Sequence, residues 1–109
     1  MGEQRHNAGE TREYDVLLRL CLVDAVSDDE LATLAEHILE SVDTYAKSCV
    51  DGPAIGYRLE PPEIHLDFTT DAESLADVER VIERVNEIVE GETPLKFEVA
   101  KVCAAGVAG

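Results

Sequence analysis

Residues 54–70 read AIGYRLEPPEIHLDFTT, and the alternation inside this stretch decides the fold. Ile55, Tyr57 and Leu59 fall on one face of a first run, and Ile64, Leu66 and Phe68 on one face of a second. A period of two is the mark of a strand with one covered side. Glu60-Pro61-Pro62-Glu63 separates the runs. Proline has no amide hydrogen to give to a strand ladder, so the chain turns there and the two runs form a hairpin. An isolated hairpin is not stable in water, and its apolar face must be covered by other parts of the chain.

The cover lies on both sides. Toward the N-terminus, Leu31, Leu34, Ala35, Ile38, Val42, Tyr45, Ala46 and Cys49 recur at helical spacing. Ser27 and Glu30 stand three apart at the start of this pattern, the spacing of a capping box, with Asp28 and Asp29 suited to the first turn. These signals predict a helix from Asp28 to about Ser48, with Lys47 in its last turn and Asp51-Gly52-Pro53 beyond it. Toward the C-terminus, Leu75, Val78, Ile82, Val85 and Val89 make a second stripe, widened by Val81 and Ile88. Thr70 and Glu73 are the first candidates to cap it, Asp71 or Ser74 the alternatives, and Gly91 is a natural end.

Each helix is flanked by a further strand. In the first, Tyr14, Val16, Leu18, Leu20 and Leu22 form a fully apolar face. Asp15, Leu17, Arg19, Cys21 and Val23 form the other, which is too apolar for a freely solvated surface. In the last strand Leu95, Phe97 and Val99 alternate with Lys96, Glu98 and Ala100, with Val102 and Cys103 as a continuation. The order is strand, helix, strand, strand, helix, strand. It packs most economically as a four-stranded antiparallel sheet with two helices on one face, the ferredoxin-like βαββαβ arrangement of the α+β class. The expected organisation is a disordered arm over residues 1–13, one domain over 14–103 and a flexible tail over 104–109.

With 109 residues and 45% hydrophobic content there is material for one core. The formal charge of -15, from 24 acidic and 9 basic residues, opposes contact with phosphate backbones or anionic lipid. Direct nucleic-acid binding and membrane association are therefore not expected. No apolar run is long enough to span a bilayer. Three cysteines without paired spacing fit a reducing, cytoplasmic setting.

In this topology the first strand is central, and the helices leave one side of the sheet bare. Leu17, Cys21 and Val23 would lie there beside Ala100 and Val102, an apolar streak on an acidic molecule and a candidate contact surface. Self-association as a homodimer or small homo-oligomer is the first expectation, and a basic protein partner the second.

Chemistry is thin by comparison. Arg19, Arg58, His65 and Asp67 could meet on the bare face, where a histidine beside a carboxylate can act as a base and an arginine can hold an anionic oxygen. The plainer reading is cross-strand charge pairing, which alternation alone produces. His65 and Asp67 point the same way as two metal ligands would, but no third ligand stands at a useful spacing, so no metal is expected. His6 has no second ligand nearby, and His37 reads as a solvent-facing helix residue. Cys103 lacks a neighbouring base. The glycines form no phosphate-cradling loop, so no cofactor is expected either. Phe68 and Phe97 share the core register rather than the open face used by single-stranded RNA binders.

Three functions follow in order. The first is a non-catalytic interaction or regulatory domain that self-associates through the open sheet. The second is a small-molecule site or modest enzyme using His65 with Arg19 or Arg58 in a dimer cleft. The third is an acidic decoy of a nucleic acid, occupying a basic groove.

Overall fold

A computed structural model of the chain describes residues 11–105, with side chains as far as Lys101. The elements are β1 (Arg12–Leu22), α1 (Asp28–Tyr45), β2 (Asp51–Arg58), β3 (Glu63–Ala72), α2 (Leu75–Glu92) and β4 (Phe97–Ala105). The strands form one sheet in the order β2-β3-β1-β4, every neighbouring pair antiparallel. This is the ferredoxin-like fold expected from the alternation.

The arm and tail expected at residues 1–13 and 104–109 lie largely outside the described residues. What is described of them is strand: Arg12 and Glu13 open β1, and the backbone of Ala104 and Ala105 closes β4. The pairing partners explain the extension, since Arg12 stands opposite Ala72 and Tyr14 opposite Ala105.

The core lies between the sheet and the helices. Val16, Leu18 and Leu20 from β1 meet Ile64, Leu66 and Phe68 from β3, all buried. Leu31, Ile38 and Val42 of α1 and Val78, Ile82 and Val85 of α2 cover them. Each such side chain contributes about 1.5–3 kcal/mol of transfer free energy, which is what holds both helices on one side. No helix among the described residues is long and apolar enough to cross a membrane.

The helix starts follow local chemistry. Ser27 Oγ accepts the Glu30 amide at 3.2 Å, and Glu30 Oε1 accepts the Ser27 amide at 3.0 Å, so the capping box is complete. The second helix is capped by Ser74, whose Oγ accepts the Asp77 amide at 3.3 Å. Thr70 does not cap it. This residue is buried in β3, and its hydroxyl donates to the Cys49 carbonyl at 2.6 Å. α1 stops at Tyr45, so Lys47 lies past its last turn, and α2 runs one residue beyond Gly91.

Edge positions account for the apolar residues that escape the core. β2 is an edge strand, and Tyr57 remains 42% exposed despite its core register, while Leu59 lies past the strand's end in the turn and is 40% exposed. The Tyr57 phenol lies close enough to the start of α1 for the Asp28 carboxylate to raise its pKa. Leu75 and Tyr45, at the two ends of their stripes, are 55% and 60% exposed. On the other edge Lys101 pairs with Leu18 in register and therefore faces the helices, where its ammonium meets Glu79 of α2 at 2.8 Å.

Candidate functional site

The face of the sheet away from the helices is set out by the strand register. One row across it, from β2 to β4, is Arg58, Glu63, Cys21 and Glu98. The next is Gly56, His65, Arg19 and Ala100, and the third is Ala54, Asp67, Leu17 and Val102. Successive rows are about 7 Å apart, two residues along a strand.

Leu17 and Cys21 are half-buried on this face, and Ala100 is exposed. Val23, just past β1, is 61% exposed while its amide donates to the Lys96 carbonyl at 3.0 Å. The described members of the expected contact streak therefore lie on the bare side, clear of the protein's own helices. Val102 pairs with Leu17 in register, and its side chain is outside the described residues. The streak is not continuous, because Arg19 stands between Leu17 and Cys21 on β1.

The polar centre of the face is Glu63. Its Oε1 accepts from His65 Nε2 at 2.9 Å and from Arg58 Nη2 at 3.1 Å. An ionised carboxylate offers only acceptors, so the proton of this contact is on the imidazole nitrogen. Cys21 Sγ lies 4.0 Å from the other carboxylate oxygen. Glu63 is 8% exposed, an acid nearly buried on what is otherwise an open surface. The hydrogen bond from His65 holds its carboxyl below the usual glutamate range. The guanidinium groups of Arg58 and Arg19 act in the same direction, against partial desolvation.

Of the four residues proposed from the sequence, Arg19, Arg58 and His65 are gathered around this carboxylate, and Asp67 is two rows away. The acid at the centre comes from the Pro-Pro turn instead. Its signal was the parity of β3, since counting back from Asp67 and His65 puts Glu63 on the same face. Chemically the cluster is a charge-assisted network in which Glu63 neutralises Arg58 and orients His65. Cavities among the described residues open elsewhere. One of about 630 Å³ runs along α1 at Thr33, Glu36, His37 and Glu40, and one of about 420 Å³ lies between α1 and Pro94-Leu95. His37 is 59% exposed at its side chain and reaches Glu92 at the end of α2, 2.7 Å away. No group of three or more metal-ligating side chains converges among the described residues.

No protein-family model matches the chain, and no curated protein matches it. Solved structures do. One is a dimeric protein of unknown function and ferredoxin-like fold from Bacteroides fragilis, with 16% identity over 85% of this chain and 95% of that one, at a TM-score of 0.57. A de novo designed ferredoxin-fold protein matches at 11% identity over 88% of each chain, with a TM-score of 0.58. A dinuclear metal-binding peptidase of the M20 family from Bacillus subtilis matches at 9% identity and a TM-score of 0.52, over 88% of this chain but 26% of its own. At these identities the likeness is one of fold. A designed protein and part of a peptidase share the architecture, so the fold assigns no activity.

Proposed function

We propose that this chain is a non-catalytic interaction domain that self-associates through the open face of its sheet. The observation that carries the reading is the position of Leu17, Cys21 and Val23: apolar side chains at the middle and end of a central strand, on the side the helices leave bare. A partner sheet laid on this side would complete the burial of Leu17 and Cys21, which the chain's own strands leave half-exposed. The Bacteroides fragilis protein of the same fold is dimeric, which is in keeping with this use of the scaffold.

The Glu63 cluster supports a structural role more than a catalytic one. His65 and Arg58 already share one acceptor oxygen, and the cavities described above do not open onto them. The carboxylates stand on α1, on α2 and on the sheet alike, a spread that favours solvation over imitation of a nucleic acid.

Sedimentation equilibrium of the wild type and of Leu17→Asp tests the reading. The wild type is expected to pass from monomer to dimer between micromolar and millimolar concentration. An uncovered carboxylate in the middle of the contact should weaken association by at least about tenfold. A wild type that stays monomeric throughout this range removes the reading.

A further inference from the structure

Two copies of a chain with formal charge -15 repel each other, so contact through the sheet requires local compensation. The open face supplies it unevenly. The end near the β2–β3 turn carries Arg58 and Arg19, with Glu63 already engaged by Arg58 and His65, and Glu98 at the β4 edge. The opposite end carries Asp67, then Asp15, then Glu13 opposite Asp71, all four exposed. Along the strands the face therefore runs from electroneutral, two arginines against two carboxylates, to acidic.

A face-to-face dimer of identical chains has its two-fold axis in the plane between the sheets, and the direction of that axis decides which ends meet. An axis along the strands stacks the acidic end of one copy on the acidic end of the other, four carboxylates against four. An axis across the strands reverses one copy and lays each arginine-bearing, electroneutral end over an acidic one. We infer that the dimer uses the second arrangement, with Arg19 of one copy paired to Asp15 of the other and Leu17 near the axis. This rests on the self-association proposed above and adds its partner, its register and its orientation. It also gives a role to Arg19, which interrupts the apolar streak: in the reversed copy the guanidinium meets an acid rather than a second arginine.

The test is a charge exchange between two variants, Arg19→Glu and Asp15→Arg. Both positions are exposed in the monomer, and circular dichroism confirms that each variant is folded. Alone, each should dimerise at least about tenfold more weakly than the wild type, because like charges then face each other at both ends. Mixed in equal amounts, they should form a heterodimer within about threefold of wild-type affinity, with one pair native and the other reversed. Asp15→Arg carries less net negative charge than the wild type, so general repulsion alone would make it associate better. Its weakening therefore reports the specific pairing. A dimeric wild type whose two variants fail to associate when mixed overturns this orientation and leaves the self-association reading standing. A monomeric wild type overturns both.

Discussion

Glu63 and His65, two residues apart on β3, are joined on the uncovered side of the sheet by a 2.9 Å bond from imidazole Nε2 to carboxylate. That bond, with Arg58 at 3.1 Å, keeps an acid ionised at a nearly buried position. The carboxyl pKa is lowered in the folded chain, so its contribution to stability is present above the ordinary glutamate pKa. It is lost as pH falls through the lower, folded value. Thermal unfolding of the wild type and Glu63→Gln between roughly pH 7 and pH 3 should show a melting-temperature gap that is widest near neutrality and closes on the acid side. A gap that is constant, or that widens in acid, would contradict this role.

The two ends of the core make a sharper contrast than the apolar pattern implies. Phe68 is buried to within 1% on β3, whereas Leu75 at the start of α2 is 55% exposed. Phe68→Ala should cost about 3–5 kcal/mol, a large share of a small domain's stability. Leu75→Ala should stay within about 0.5 kcal/mol. Urea unfolding of both variants checks the pair, and similar losses at both positions would show that α2 is seated differently.

Ser27 closes the start of α1 by exchanging two hydrogen bonds with Glu30, at 3.2 and 3.0 Å. Ser27→Ala leaves one helix amide without its acceptor and should lower stability by about 1 kcal/mol. Ser27→Asp should restore most of it, since a carboxylate caps as well and suits the positive end of the helix. Chemical denaturation distinguishes the two, and an equal loss in both would contradict capping as the cause.

Much of this architecture was readable from alternation alone. The five apolar residues from Tyr14 to Leu22 have a strand's period, and all are buried. The strand order then follows from packing two helices on one side. Three details needed the fold itself. Glu63 reads as part of a turn because Pro61 and Pro62 precede it, yet it opens β3 and is the hub of the face. Thr70 has capping spacing with Glu73, but β3 continues to Ala72 and takes the threonine into the interior, leaving Ser74 to cap. Tyr57 has the parity of a core residue and lies on an edge, where one neighbouring strand is missing. Periodicity specifies which side a residue faces. How much of that side is covered depends on how closely the helices and neighbouring strands seat against it, which only the assembled structure supplies.

The central claim is that the sheet's bare face is where two copies meet. It is tested most directly by following backbone amide chemical shifts while the wild-type protein is diluted from millimolar to micromolar concentration. The shifts that move together should belong to β1 and β3 around Leu17, Arg19, Cys21 and His65, with α1 and α2 nearly unchanged. Movement confined to the helices, or no movement at any concentration, would contradict the claim.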